Sequence, residues 1–215
     1  MTLYEIIVTL HVVSAAVGVG AAATSDTIFL RSIRNRLISR DQYVLIRAGS
    51  QVVVGGLALL VITGIYMAFT NPELIEIPHF QAKMTAVVIL MLNGLVFHGT
   101  LLPFLKNHMD KKVPEELLAS KQWFFAITGA VSAVSWFAAL IIAVVGDVGI
   151  GYLIFLGIYI AAMIGGAITG YFVLAHLIFW SKGEKKKSGK KGIDVLVQVF
   201  LLIILVVSLI IIALK

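Results

Sequence analysis

The chain has 215 residues, of which 60% are hydrophobic and only 13% are charged, and its formal net charge is +6. Ordinary globular domains carry about a quarter charged residues. This composition, with a mean hydropathy of +1.03, therefore excludes a water-soluble enzyme, a disulfide scaffold and a disordered regulator. The sequence has no cysteine, so a metal site must use histidine, methionine, lysine or oxygen ligands.

Six stretches are long and apolar enough to cross a bilayer, which takes about 20 residues in a helix. They cover about residues 3–30, 48–70, 80–105, 122–145, 151–180 and 193–214. The runs are continuously apolar and lack the alternating pattern of membrane β-barrel strands. The sequence therefore predicts an all-α fold: one domain over residues 1–215, an integral membrane bundle of six transmembrane helices.

Basic residues are confined to alternate connections between the predicted spans. All Lys and Arg residues except Lys83 and Lys215 follow the first, third or fifth span. Because loops rich in Lys and Arg stay cytoplasmic, we expect both termini outside, in a multi-pass protein of the cell's inner (cytoplasmic) membrane. The lysine run at 182–191 lacks interleaved aromatic residues, so we expect a solvated loop and no nucleic-acid partner.

Small residues recur at four-residue spacing in the first and fifth spans, whereas the sixth is nearly all Leu, Ile and Val. The rows are Ser14-Gly18-Ala22, Ala16-Gly20-Thr24 and Ala162-Gly166-Gly170. Such rows let helices approach closely. We therefore expect these spans inside the bundle. The sixth span is expected at the lipid-facing periphery, or at a contact with a second copy or a partner subunit.

Ionisable side chains inside a span are costly, and they are the strongest functional indicators in a membrane sequence. Counting about 1.5 Å per helical residue divides them into two layers. His11 lies in the outer leaflet, together with Lys83 or His79. His98 and His176 lie in the inner leaflet. The sequence thus predicts two sites at different depths.

Imidazoles at matched depth on different helices are what a haem between helices requires. Neutral imidazole is a good iron ligand, and axial histidines hold haem in many proteins. Small residues share the helix face of each imidazole: Ser14, Ala15 and Gly18 with His11, Gly94 with His98, and Gly165 and Thr169 with His176. We therefore expect one or two b-type haems, with His11, His98 and His176 as iron ligands and Lys83 and His79 as further cofactor-binding residues.

The first span contains Leu10-His11-Val12-Val13, then small residues through Ala23 and then Ile28-Phe29-Leu30-Arg31. It resembles the first helix of the copper resistance D family and of the related bacterial membrane protoporphyrinogen oxidases of the HemJ type. The third span begins Gln81-Ala82-Lys83-Met84, which resembles the same families, where a lysine precedes a histidine on that helix. The resemblance covers about residues 1–105. It implies a helical bundle that binds b-type haem, with His11 as ligand and Lys83 as a nearby functional residue.

Several functions are consistent with these sequence features. The first is a membrane b-type cytochrome that transfers electrons across or along the membrane, with a quinone or a small oxidant such as superoxide as redox partner. The second is a copper-resistance-like transporter of metal or solute, in which the intramembrane ionisable residues, including Asp26, line a pathway. A HemJ-like protoporphyrinogen oxidase, and a non-catalytic subunit that docks a partner through the sixth span, are the others.

Overall fold

The computed structural model describes residues 2–146 and 149–180. Within these residues, five helices are long and apolar enough to cross a membrane. The helices are α1 Leu3–Asn35, α2 Arg40–Thr70, α3 Pro78–Asn107, the short α4 Glu115–Ser120, α5 Gln122–Val145 and α6 Tyr152–Trp180, and a 3₁₀ turn, Pro72–Glu76, precedes α3. This part of the chain is an all-helical bundle.

The first five predicted spans are confirmed as helices, and the predicted sixth, 193–214, lies outside the described residues, as does the lysine run at 182–191. Two helices extend well beyond the predicted apolar stretches. Helix α1 continues to Asn35, and α2 begins at Arg40. The difference arises because hydropathy follows the thickness of the bilayer, whereas the hydrogen-bond ladder of a helix continues until a cap ends it.

Local caps set the tight connection between α1 and α2. Arg36 adopts the left-handed conformation (φ 51°), and its N–H donates to the carbonyls of Ser32 and Ile33, which ends α1. Ser39 and Gln42 then form a capping box, in which each side chain accepts from the other's backbone N–H. Capping boxes mark helix starts, so the chain reverses direction within a few residues.

Glycine allows α1 and α2 to pack closely along most of their length. A Cβ at Gly56 would lie 3.0 Å from the carbonyl oxygen of Ser14 and 3.4 Å from the Cα of Gly18. The predicted row Ser14, Gly18 and Ala22 is buried, whereas the row Ala16, Gly20 and Thr24 is exposed. Only the first row therefore makes the helix contact.

The other helices form a second group, in which α5 packs against both α3 and α6. Gly166 and Gly170 of the third predicted row face α5, close to Ala130 and Ala126 respectively. Although α2 and α3 are consecutive, they make few contacts. The bundle is therefore open between these two helices.

The α1–α2 and α3–α4 connections meet at one end of the bundle, which we call the basic end. The Arg36 guanidinium lies 2.9 Å from Glu115 and donates to the carbonyl oxygen of Ile178 at 2.7 Å. The backbone N–H of Arg40 donates to the carboxylate of Asp110 at 2.9 Å. Large side chains are fully buried here: Ile33, Ile38, Ile46, Leu105, Val113, Leu118 and Ile178. The two basic connections and the end of α6 are thus held together at this end.

Helix α3 contains one π-helical turn, Phe97–Leu101, in which the N–H of Leu102 donates to the carbonyl of Phe97. Pro103 accounts for it, because proline has no N–H and its ring would collide with the carbonyl of Gly99 one turn earlier. His98 lies within this turn. Such turns recur at functional sites.

Candidate functional site

His11 forms the most specific polar contact between α1 and α2. Its Nδ1 atom lies 2.8 Å from the hydroxyl oxygen of Thr63, and the carbonyl of Leu60 also interacts with the ring. The ring packs beside Gly64, where a Cβ would lie 3.5 Å from the imidazole Cε1. Neighbouring residues of α2 therefore fix both the position and the plane of the imidazole.

The hydrogen bonds of Thr63 determine which ring nitrogen of His11 carries the proton. The Thr63 hydroxyl donates within α2, to the carbonyl of Leu59 at 2.7 Å, with the carbonyl of Leu60 at 3.1 Å. A hydroxyl has one proton, so with that proton donated to Leu59 the Thr63 oxygen accepts from His11, which corresponds to the tautomer with the proton on Nδ1. The Nε2 lone pair of the neutral ring is then left for a ligand, and no described residue donates to it.

Lys83 is the cation beside this imidazole. It is half-buried on α3, near enough to act electrostatically on His11, and its amino group lies 5.8 Å from the centre of the Phe80 ring. The structure thus brings together two residues of the predicted outer layer. His79, the other candidate, is half-buried at the start of α3, with its Nδ1 atom buried.

An apolar groove of about 640 Å³ lies where α2 and α3 diverge. Its walls are Gly64, Ile65, Ala68, Phe69, Pro72, Ile75, Phe80, Gln81 and Met84. Ligand pockets commonly enclose about 300–1,000 Å³. The groove shares Gly64 with the His11 contact and Phe80 with Lys83. The imidazole and the amino group therefore lie beside the groove.

The small residues next to His11 on α1 do not form the porphyrin wall that the sequence suggested. Ser14 and Gly18 are buried against α2, and the indole of Trp136 covers Gly18. Other helices cover that face, because a row of small residues allows a neighbouring helix to approach closely. The open space near His11 lies instead on the side of Gly64.

The predicted inner-layer ligands lie on the outside of the described bundle. His98 and His176 are both exposed, and the His98 ring lies edge-on to Phe97 with a centroid distance of 5.6 Å. The glycines that share their helix faces, Gly94 and Gly165, have no heavy atom of the described residues within 4 Å of an added Cβ. Both faces therefore have room for a large flat group, and the pairing of the two histidines stays a prediction.

In the part of the chain that the structure describes, no three His, Asp or Glu side chains converge in a way that could hold a metal ion. These residues therefore form no metal site made of three or more imidazole and carboxylate ligands. Haem makes a smaller demand, because the porphyrin brings its own equatorial nitrogen ligands and the protein adds only axial ones. The imidazole of His11 fits the role of one such axial ligand.

Two contributors to this site, Thr63 and Gly64, were missed in the sequence. Thr63 is an ordinary residue for a membrane helix, and its link to His11 depends on the register of α1 against α2. Gln81 of the groove lies in the segment that resembles the two families, but the sequence indicated no role for it. The sequence signal that could have identified them is a threonine followed by a glycine, at the same membrane depth as the histidine of α1.

Comparisons of this chain with protein-family models, with curated proteins and with solved structures give no match.

Proposed function

We propose that this chain is a membrane b-type haem protein, with its best-defined site at His11. The observation that carries the proposal is the His11–Thr63 hydrogen bond. With the Thr63 hydroxyl donating to Leu59, Nδ1–H donates to Thr63 and the lone pair of the neutral ring lies on Nε2. A histidine that binds a metal almost always donates its other N–H in this way, which fixes the ring and raises its basicity. The adjoining apolar groove supplies low-dielectric surroundings.

In this proposal His11 supplies an axial nitrogen and Lys83 supplies a positive charge for an acidic side group of the porphyrin. An ammonium group inside the bilayer is costly unless it has such a partner. His79, at the start of the same helix, is a further cofactor contact. When bound, haem supplies one-electron redox chemistry. The resemblance to the copper resistance D and HemJ-type families is consistent with these roles.

The inner layer would hold a second haem between His98 and His176. Both residues lie toward the basic end of their helices, and each has open space on its own face. Two sites at different depths would suit electron transfer across the membrane. A quinone or a small oxidant is the proposed redox partner.

We also propose the complete topology. Residues 193–214 form a sixth span, and both termini lie outside the inner membrane, because the basic connections stay cytoplasmic. The described structure supports this arrangement at one point: the α1–α2 and α3–α4 connections and the end of α6 lie together at the basic end. A contact with a second copy or a partner subunit would use the sixth span.

The optical spectrum of the purified protein tests the proposal. Protein from haem-supplied cells is expected to show a Soret band that shifts on reduction with dithionite, as b-type haem requires. His98→Ala and His176→Ala should each remove one and the same spectral component and leave the other. A colourless preparation would refute the haem assignment, and unequal losses would refute the inner pair.

A second candidate, transport of a cation, is favoured by Asp26. This half-buried carboxylate lies within α1, and among the described residues it accepts no hydrogen bond and pairs with no cation. Unpaired intramembrane carboxylates mark ion pathways. Metal uptake by proteoliposomes that is lost in Asp26→Asn, with no haem spectrum in the wild type, would replace the cytochrome with a transporter.

A further inference from the structure

The groove between α2 and α3 has an apolar interior with one polar group near its edge. Among its lining residues, Gln81 is the only polar side chain, and its Nε2 donates to the carbonyl of Ile75 at 3.0 Å. Ile65, Phe69 and Ile75 in its walls are exposed, so the groove opens outward toward acyl chains.

The rim of the groove is acidic, although the protein as a whole is basic. The 3₁₀ turn that supplies Pro72 and Ile75 also carries Glu73 and Glu76, and both carboxylates are exposed. Residues 71–79 contain no Lys or Arg. The turn that supplies two of the lining residues therefore also carries two exposed negative charges.

This layout is complementary to a phospholipid with a protonated amine. We propose that the groove binds one phospholipid of the phosphatidylethanolamine class, with an acyl chain along the apolar walls and the ammonium group at Glu73 and Glu76. The Gln81 amide donates one N–H to Ile75, and in this proposal its second N–H donates to an ester carbonyl of the lipid.

The same charges select against other lipids. An anionic headgroup such as phosphatidylglycerol would be repelled by the two carboxylates, since a charge near the membrane surface is worth about 1 kcal/mol, or about fivefold in affinity. Lys83, beside Phe80, would attract the phosphate that both lipids carry and so would not discriminate between them. A quinone is neutral and would gain nothing from them. A choline headgroup carries the charge but has no N–H to donate.

The bound lipid would cover Gly64, which separates the groove from His11. It would thereby keep water from that side of the imidazole. The lipid site goes beyond the proposed haem function, and none of its lining residues is a predicted haem ligand. Because Gly64 also borders the open space beside His11, a bound haem would compete with the lipid for that end of the groove. It can therefore be tested on protein that has not bound haem.

The test is native mass spectrometry of the full-length protein, released from nanodiscs that contain equal amounts of phosphatidylethanolamine, phosphatidylglycerol and phosphatidylcholine. We expect wild type to retain phosphatidylethanolamine preferentially. The double variant Glu73→Gln/Glu76→Gln should lose about tenfold or more of this preference. Ala68→Phe, which fills the groove, should lose retention of all three lipids.

Two controls separate these effects from general damage. Ala58→Phe adds the same bulk on an exposed position of α2 outside the groove, and Asp41→Asn removes an exposed carboxylate at the other end of α2. Both should retain lipid like wild type. Met84→Trp fills the groove from the α3 wall and replaces Ala68→Phe if the latter melts early.

Three results would overturn the proposal. The first is equal retention of phosphatidylglycerol and phosphatidylethanolamine by wild type, and the second is an undiminished preference in the glutamate variant. The third is displacement of the phospholipid by a long-chain quinone, which would show that the groove is a quinone site instead. Because the readout is taken on haem-free protein, a failure of the haem proposal leaves the lipid result unchanged.

Discussion

The Nδ1 atom of His11 lies 2.8 Å from the hydroxyl oxygen of Thr63, across the contact between α1 and α2. Because the hydroxyl donates to the carbonyl of Leu59 in its own helix, it accepts from the ring and holds one tautomer. A histidine that only joined two helices would need no partner beyond this hydrogen bond. A histidine that binds haem must in addition hold iron at Nε2, and the presence of haem can be measured.

Thr63→Val removes the hydroxyl that orients His11, at nearly constant volume. We expect haem affinity to fall by about 10–100-fold, the usual cost of losing a partner of a metal-bound histidine. Thr63→Ser keeps the hydroxyl and should bind haem like wild type. Titration of the apoprotein with haem, followed in the Soret band, measures both variants, and equal affinities would mean that Thr63 has no such role.

Gly18 makes room for the indole of Trp136. A Cβ at this position would lie 2.9 Å from the indole Cζ2 and closer still to the indole Cη2. Gly18→Ala therefore forces the buried ring to move. We expect the free energy of unfolding in detergent to fall by about 1–3 kcal/mol, as for other overpacked cores.

The matched control for this substitution is Gly20→Ala on the same helix, where no heavy atom of residues 2–146 or 149–180 lies within 4 Å of an added Cβ. Its stability should stay within about 0.5 kcal/mol of wild type. Equal losses at the two glycines would show that the contact with Trp136 does not control the packing of α1.

Arg36 links three elements at the basic end. Arg36→Ala removes both the ion pair with Glu115 and the hydrogen bond to the carbonyl of Ile178. Because the side chains of Arg36 and Glu115 are both largely buried, we expect the free energy of unfolding to fall by about 2–4 kcal/mol. In Arg40→Ala the hydrogen bond to Asp110 survives, since it comes from the backbone N–H, and stability should change little. A thermal melt of each variant decides between these outcomes.

The orientation can be read directly because the chain has no native cysteine. Single variants Glu73→Cys and Lys111→Cys place a thiol at exposed positions at opposite ends of the bundle. A membrane-impermeant maleimide should label residue 73 in intact cells and residue 111 only after permeabilisation. The reverse pattern would place the basic connections outside.

Much of the fold was predictable because lipid imposes a simple rule on sequence. A spanning helix must be about 20 apolar residues long, and the first five spans follow directly from that. The start of α1 and the end of α2 agree with the predicted spans, whereas α1 continues past the predicted end and α2 begins before the predicted start, since hydrogen bonding continues after apolarity stops. The capping residues Ser39 and Gln42 were visible in the sequence and would have corrected the start of α2.

The site was predictable only in its residue types and depths. His11 and Lys83 were predicted in the same leaflet, and in the structure the charge of Lys83 acts on His11. The partner of His11 could not be inferred, because Thr63 is 52 residues away and depends on how two helices are rotated against each other. The same rotation turned the small residues Ser14 and Gly18 toward other helices.

The central claim is that Nε2 of His11 binds haem iron. It is tested most directly by the haem-to-protein ratio of His11→Ala, taken from the reduced-minus-oxidised spectrum, with His108→Ala at the basic end as control. We predict that His11→Ala loses the outer component entirely while His108→Ala retains the wild-type spectrum. An unchanged spectrum in His11→Ala would contradict the account and leave His11 as a residue that joins α1 to α2.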